Sequence, residues 1–191
     1  MKLCFATNNA NKLKEVRQML EPEYEVVSLQ DIGCYDELPE TQDTLEGNSK
    51  QKAMYVWKHF KVSCFADDTG LEVESLNNEP GVYSARYAGP QRSNHDNITL
   101  LLQNLEGQQN RKAQFRTSIT LILDGEVHQF DGVVKGHIIE ELRGTEGFGY
   151  DPVFVPEHET RTFAEMSADE KNRISHRGRA IQKLVDFLKK S

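Results

Sequence analysis

The sequence predicts an α/β protein whose β-sheet mixes parallel and antiparallel strands. Residues 3–6 have the apolar character of a strand, segment 7–12 is polar, and residues 13–20 place apolar side chains at helical spacing. Farther along the chain, Asp124-Gly125 separates two strand-like runs, and this dipeptide is typical of a β-hairpin. The 191 residues are enough for a single domain, 1–191, with a sizeable core.

Strand and helix signals alternate through the rest of the chain. Thr44 and Ser167 are positioned to cap two helices. Arg177 and Gly178 interrupt the apolar stripe of the last helix, which predicts a kink or a break that exposes His176 and Arg177. In chain order, the other predicted elements are strands at 24–27, 61–64 and 71–74, a helix at 93–105, and strands at 115–123, 126–130 and 133–139.

The charge balance and the cysteines narrow the class of protein. With 23 Lys and Arg against 30 Asp and Glu, the formal net charge is −7, which argues against a surface that coats nucleic acid. Cys4, Cys34 and Cys64 form no CxxC pair, as in proteins of a reducing compartment. The chain shows neither a signal-peptide pattern nor an apolar run of membrane-spanning length. We therefore expect a cytoplasmic protein without nucleic-acid or membrane partners.

Asp67-Asp68-Thr69-Gly70 is the first candidate site. It lies between two predicted strands, and its adjacent carboxylates repel each other without any gain for the sheet. Such a pair is tolerated where a strand ends in a cleft and a cation or a phosphate-bound metal neutralises it. On these residues alone, a solvated turn explains the segment equally well, because Asp, Thr and Gly all form turns.

Two other segments carry groups suited to phosphate. Segment 7–12 precedes a helix, whose N-terminus offers unpaired N–H groups, and Lys12 adds a full charge. The alternative is that an asparagine of this segment merely caps the helix. Asn48 and Lys52 lie four residues apart on the next predicted helix and share one of its faces. Glu40, just before that helix, is either a metal ligand or one more surface acid.

Residues 144–152 are rich in glycine and carry two aromatic side chains. Phe148 and Tyr150, separated by Gly149, can present ring faces to a planar base, and such stacking contributes about 1–3 kcal/mol per base. Asp151 can accept a hydrogen bond from a base edge or a ribose. The alternative is a turn whose aromatic rings pack into the core.

Taken together, these motifs resemble those of the inosine and xanthosine triphosphate pyrophosphatases, the ITPase family. The resemblance covers nearly the whole chain, and its motifs occur in order and at suitable spacing. Asn8 is a departure, since the family often has glycine there, but asparagine tolerates a positive φ better than most residues. The matching segments are 6–12 with Glu15, Glu40 with Asn48 and Lys52, 66–71, 80–87, 147–152 and 175–178.

The resemblance implies a long twisted mixed sheet flanked by helices, in two lobes with a central active-site cleft. It also implies a homodimer that uses Mg²⁺ to hydrolyse ITP, dITP and XTP to the monophosphate and pyrophosphate, which sanitises the nucleotide pool. By position, the catalytic residues are Asp68 as proton acceptor with Asp67 and Lys52, and the metal ligands are Glu40 and Asp68. The substrate-binding residues are Thr7, Asn8, Asn9, Ala10, Asn11, Lys12, Thr69, Phe148, Gly149, Tyr150, Asp151, Lys171, His176 and Arg177.

The expected mechanism is attack of water on the α-phosphorus with pyrophosphate as leaving group. If strand geometry continues through Asp67 and Asp68, only one of them faces the water, and the family match selects Asp68. Lys12 and Lys52 would stabilise the departing pyrophosphate. A donor directed at purine C6 pairs with the oxygen of inosine or xanthosine and opposes the amino group of adenosine. Two alternatives stay open, a Maf-like pyrophosphatase of different base specificity and a nucleotide-binding sensor that does not hydrolyse.

Overall fold

The computed structural model describes residues 1–191, and its main element is a seven-stranded sheet. The strands are β1 (Lys2–Phe5), β2 (Glu25–Val27), β3 (Cys64–Val73), β4 (Glu79–Gly81), β5 (Lys112–Leu123), β6 (Glu126–Ile138) and β7 (Phe154–Pro156). They lie in the order β2-β1-β3-β5-β6-β7, and β4 pairs with β3. β1 is parallel to β2 and β3, whereas β3–β4 and β6–β7 are antiparallel. The predicted mixed sheet of an α/β protein is therefore confirmed.

Five helices accompany the sheet, and two of them begin at the predicted caps. They are α1 (Ala10–Leu20), α2 (Leu45–Phe60), α3 (Asn94–Asn104), α4 (Ala168–Ile174) and α5 (His176–Leu188). Thr44 caps α2 by accepting a hydrogen bond from the Gly47 N–H at 3.0 Å, and Ser167 caps α4. Ser175 has extended backbone between α4 and α5, so the predicted break is confirmed. No helix has the length and apolar character that a membrane span requires.

The chain divides into two compact units, and one boundary falls between Asp68 and Thr69 within β3. The first unit comprises Met1–Asp68, Thr117–Gly132 and Gly178–Ser191. The second unit comprises Thr69–Arg116 and Val133–Arg177. Strands β3, β5 and β6 contribute residues to both units.

In the first unit, the sheet has an apolar core on each face, because side chains alternate along a strand. Leu3 and Phe5 of β1 pack in a core with residues of α1 and α5, and Phe5 stacks on Phe65 with 4.7 Å between ring centroids. Cys4, and Ala6 just after the strand, pack in the other core with residues of α2. Burial on both faces explains why β1 is apolar after Lys2.

In the second unit, the close approach of two strands explains the glycine after Thr69. Leu71 of β3 pairs with Gly81 of β4. A Cβ atom on Gly70 would lie 2.5 Å from the carbonyl oxygen of Gly81, which leaves no room for a side chain. Gly70 is therefore required by strand packing and not by a turn.

The structure corrects several predicted boundaries. The predicted strand 61–64 is wrong except at Cys64, because Lys61 ends α2 with a φ of 55° and β3 begins only at Cys64. β3 then continues through 65–70 to Val73, so the predicted strand 71–74 is not a separate one. The runs 126–130 and 133–139 also belong to one strand, β6. The Asp124-Gly125 hairpin between β5 and β6 is confirmed, with φ angles of 50° and 92° that suit a two-residue turn. β7 has three residues, too few to produce an alternating sequence pattern.

The three cysteines are expected to be unreactive in the native protein. All are buried, and burial raises the pKa of Cys4 and of Cys64 to about 12. Because the thiolate is the reactive form, a thiol-specific dye should label none of the three near neutral pH and all three after denaturation. Labelling of the native protein at the rate of an exposed thiol would contradict this arrangement.

Candidate active site

The two neighbouring carboxylates on β3 lie in different surroundings. Asp67 is 1% exposed and Asp68 is 8% exposed, so the interpretation as a solvated turn is wrong. Successive side chains of a strand point to opposite faces, and Asp67 accordingly meets α1 whereas Asp68 meets α2. Lys12 Nζ lies 3.1 Å from Asp67 Oδ1, and Asn48 Nδ2 donates to Asp68 Oδ2 at 3.0 Å. The protein therefore balances the two charges with partners from two different helices.

Lys52 connects the acidic residues from within α2. Its Nζ donates to Glu40 Oε1 at 2.7 Å and to the carbonyl oxygen of Asp67 at 2.6 Å. Burial alone would lower the pKa of Lys52, but the carboxylates of Asp68, Glu40 and Asp67 raise it above its ordinary value. Lys52 consequently keeps its positive charge although its side chain is only 5% exposed.

The carboxyl group of Asp68 holds a proton more readily than an aspartate in water. Burial is the largest cause of its raised pKa, and repulsion from Glu40 adds to it. The positive charges of Lys52 and Lys12 and the hydrogen bond from Asn48 act in the opposite direction without cancelling the rise. A carboxylate with a raised pKa is a better proton acceptor near neutral pH than an ordinary one.

Asn48 is the member of this group to which the sequence assigned no role of its own. It lies one helical turn before Lys52, and that i, i+4 spacing was the available signal. Both side chains are buried, and both are directed at the strand that carries the carboxylates. We call Lys12, Glu40, Asn48, Lys52, Asp67 and Asp68 the carboxylate–lysine cluster; all of its members belong to the first unit.

The polar segment 7–12 serves first to order its own backbone. Asn9 Oδ1 accepts hydrogen bonds from the N–H groups of Asn11 and Lys12 at 3.0 and 3.2 Å, so the capping alternative holds. Thr7 Oγ1 accepts from the Asn9 N–H at 3.1 Å. Two amides that the phosphate interpretation would use are therefore already bonded. Ala10 and Asn11 are exposed.

Asn8 connects the same segment to the loop that carries Glu40. Its Oδ1 accepts from the Leu38 N–H at 3.1 Å, and its Nδ2 donates to the Asp36 carbonyl oxygen at 3.4 Å. The side chain is thus engaged with protein backbone. Glycine at this position would lack both contacts. Asn8 therefore holds residues 36–38, just before Glu40, by hydrogen bonds that a glycine cannot make.

A second group of predicted residues meets around Phe148 in the second unit. Lys171 Nζ lies 4.8 Å and Arg177 Cζ 5.7 Å from the centre of the Phe148 ring. Lys171 Nζ also donates to Asp151 Oδ2 at 2.7 Å, and Arg177 donates to Thr69 Oγ1 at 3.2 Å. We call Thr69, Phe148, Asp151, Lys171 and Arg177 the aromatic–basic cluster. It lies within the second unit, and Thr69 directly follows Asp68 on β3.

Asp151 also orders the glycine-rich loop itself. Its Oδ2 accepts a hydrogen bond from the Phe148 N–H at 3.1 Å in addition to the bond from Lys171. A side chain on Gly147 would collide with this carboxylate. Gly149 has a φ of 61° and open space where a Cβ would lie. Phe148 and Gly149 remain partly exposed.

The helix break does not expose the residues that follow it. His176 is 3% exposed and Arg177 is 2% exposed, so the predicted exposure of this pair is wrong. The ring of His176 stacks on Phe115 with 4.7 Å between centroids, and Arg177 is directed at Thr69 and Phe148. The new helix start directs these side chains into the second unit, where His176 contacts Phe115 and Arg177 lies near Phe148.

Comparison with known proteins gives a consistent result over the whole chain. The model of the Ham1 family matches residues 3–187. A dITP/XTP pyrophosphatase of Flavobacterium johnsoniae is 54% identical over 188 residues, which cover 98% of each chain. A dITP/XTP pyrophosphatase of Bacillus subtilis is 44% identical and covers 96% of this chain and 95% of its own.

A solved structure extends this result to the fold. The Ham1 protein of Staphylococcus aureus superposes with a TM-score of 0.89 at 38% identity, covering 99% of this chain and 98% of that protein. The sequence motifs had indicated the same group of proteins, and that resemblance is confirmed. Because the family model and the relatives both span nearly the whole chain, this protein belongs to the Ham1 family.

Proposed function

We propose that this chain hydrolyses purine nucleoside triphosphates with non-standard bases, ITP, dITP and XTP, to the monophosphate and pyrophosphate. The observation that carries this proposal is the carboxylate–lysine cluster, in which a buried aspartate with a raised pKa lies beside two lysines. The names of the relatives, dITP/XTP pyrophosphatases, support the same activity and substrate class. Removal of these nucleotides would sanitise the nucleotide pool.

Asp68 is the proposed general base. It would accept a proton from the water that attacks the α-phosphorus, and a raised pKa favours this role. Its bond from Asn48 fixes one carboxylate oxygen and hence the orientation of the group. Asp67 would act indirectly, because its carboxylate is bonded to Lys12 and its carbonyl oxygen to Lys52.

The donor set suits Mg²⁺ supplied together with the nucleotide. Mg²⁺ commonly binds through one or two protein carboxylates plus substrate phosphates. Glu40 and Asp68 would hold it, because the negative charge of Glu40 raises the pKa of Asp68 and a bound cation would offset that repulsion. The bound ion would neutralise charge on the phosphate oxygens and lower the pKa of a bound water.

Lys12 and Lys52 are the proposed partners of the phosphate chain. Lys52 keeps its charge because three carboxylates raise its pKa, and Lys12 is held in place by Asp67. Fixed positive charges stabilise the negative charge that grows on departing pyrophosphate without reorganising during the reaction. Segment 7–12 keeps its proposed phosphate role mainly through Lys12, since Asn9 already binds two of its amides.

The aromatic–basic cluster is the proposed site of base recognition. Phe148 offers a partly exposed ring for stacking, which contributes about 1–3 kcal/mol per base. Arg177 and Lys171 carry only donors, so they pair with the oxygen at C6 of inosine and xanthosine and oppose the amino group of adenosine. Thr69 and Asp151 would help to position these two cations, and His176 directly precedes Arg177 at the start of α5.

We further propose that the protein acts as a cytoplasmic homodimer. The resemblance to the ITPase family implies the dimer. Three unpaired cysteines in one core support a reducing compartment, because Cys4 and Cys64 are adjacent partners on β1 and β3 and still form no disulfide. Size-exclusion chromatography with light scattering would test the assembly, and a monomer at micromolar concentration would contradict it.

Hydrolysis in ¹⁸O-labelled water tests the proposed reaction. We expect the label in the monophosphate and none in pyrophosphate, because water attacks the α-phosphorus. Label in pyrophosphate would place the attack on the β-phosphorus, and release of a diphosphate with inorganic phosphate would exclude a pyrophosphatase.

The reaction should stop when a chelator removes divalent metal and resume with added Mg²⁺. Undiminished turnover after chelation would contradict the magnesium assignment.

A further inference from the structure

We propose that Ser84 and Tyr150 are positioning residues that link the glycine-rich loop around Phe148 to the strand that carries Asp68 and Thr69. The expected effects on kcat and KM rest on the proposed function. The link itself consists of three short hydrogen bonds within the second unit. Ser84 lies in the turn after β4, and neither residue was expected from the sequence to act in this way.

The side chain of Ser84 joins two strands. Its Oγ accepts a hydrogen bond from the Leu71 N–H at 2.9 Å and donates to the Gly81 carbonyl oxygen at 2.6 Å. Leu71 and Gly81 are paired residues of β3 and β4. The hydroxyl is therefore inserted between the two strands and sets their spacing just beyond Gly70, where a Cβ would collide with Gly81.

The backbone of Ser84 receives the glycine-rich loop. Tyr150 Oη donates to the Ser84 carbonyl oxygen at 2.6 Å, and both residues are buried. The Tyr150 ring belongs to the apolar core of the second unit, with Phe154 and Phe163. Its face is consequently occupied by protein, which leaves Phe148 as the ring of this loop that a base can reach.

Ser84 is thus hydrogen-bonded both to β3, at Leu71, and to the glycine-rich loop, at Tyr150. Leu71 is two residues after Thr69 and three after Asp68, so a shift at its amide moves the strand that carries both. Tyr150 is two residues after Phe148 and one before Asp151, which binds Lys171. Buried hydrogen bonds of this kind hold reacting groups in register, and a small displacement lowers activity strongly.

The two halves of the link predict different kinetic effects. Tyr150→Phe keeps the packed ring and removes only the bond from the loop to the Ser84 carbonyl oxygen, so KM for XTP should rise about tenfold with kcat within about twofold. Ser84→Ala removes the acceptor of the Leu71 N–H, so kcat should fall about tenfold. Ser84→Thr retains the hydroxyl and should restore most of kcat. Tyr87→Phe is the matched control, because Tyr87 lies in the same unit and its hydroxyl bonds Glu79 and Asn104 without touching Ser84.

Amide hydrogen exchange tests the link without reference to catalysis. Tyr150→Phe should accelerate exchange at the Leu71 and Phe148 amides about tenfold, and Tyr87→Phe should leave both unchanged. Equal KM in Tyr150→Phe and Tyr87→Phe, or unchanged exchange at Leu71, would overturn the proposal. If the wild-type protein fails to turn over XTP, the proposed function falls, and the exchange measurement alone decides whether Ser84 links the two segments.

Discussion

Asp68→Asn is expected to lower kcat for XTP by about 10²–10⁴-fold while nucleotide still binds. The amide has the shape of the carboxyl group and can still accept from Asn48, but it cannot take the proton of the attacking water. Steady-state release of pyrophosphate gives kcat, and equilibrium dialysis with XTP gives the binding constant. Turnover at the wild-type rate would remove Asp68 from the role of base.

The same substitution should leave the fold intact. Because burial raises the pKa of Asp68, its ionised form is less favourable in the folded protein than in the unfolded chain. A neutral side chain relieves that cost, so the free energy of unfolding in urea should not decrease. Asp43→Asn, an exposed aspartate of the first unit, is the control and should change neither kcat nor stability. A large loss of stability in Asp68→Asn would indicate a structural carboxylate.

Lys52→Met is expected to destabilise the protein by about 3–5 kcal/mol and to abolish turnover. Methionine fills most of the volume of the lysine, but it removes a positive charge from beside three carboxylates. Those carboxylates, of Glu40, Asp67 and Asp68, raise the pKa of Lys52 in the wild-type protein. The loss also removes the donor to the Asp67 carbonyl oxygen. Urea denaturation without nucleotide measures the effect on the free energy of unfolding.

Lys50→Met is the matched control for this change. Lys50 is exposed on the same helix, and its replacement should alter the free energy of unfolding by no more than about 0.5 kcal/mol. If Lys52→Met cost no more than Lys50→Met, the ion pair with Glu40 would not stabilise the first unit. A double variant that also carries Glu40→Gln should recover part of the lost stability, because the carboxylate that bonds Lys52 in the wild type is then neutral.

Sequence reasoning located the charged groups because their chemistry is local. Asn48 and Lys52 share a helix face by their spacing alone, and Asp67 and Asp68 separate to opposite faces because they lie on a strand. Thr44 and Ser167 cap helices through side chains that reach only three residues ahead. Hydrogen bonds of such short range follow from residue type and order.

The remaining features depend on contacts that are distant in the chain. The Tyr150–Ser84 bond joins residues 66 apart, and the Asn8–Leu38 bond joins residues 30 apart. No sequence pattern distinguishes a tyrosine whose ring meets a base from one whose ring fills a core. The continuation of β3 through Asp67 and Asp68 also depends on distant contacts. The lysines that make two buried carboxylates tolerable come from α1 and α2.

The rate of pyrophosphate release across a panel of nucleotides tests the central claim most directly. With XTP, dITP, ITP, ATP, GTP and dTTP at equal concentration, we expect kcat/KM for XTP and dITP to exceed that for ATP and dTTP by about 10²-fold or more. Arg177 and Lys171 supply donors alone, which is the physical reason for the discrimination against the amino group of ATP. Equal rates on all six nucleotides, a preference for dTTP as in a Maf-like enzyme, or tight binding without hydrolysis as in a sensor would contradict the account.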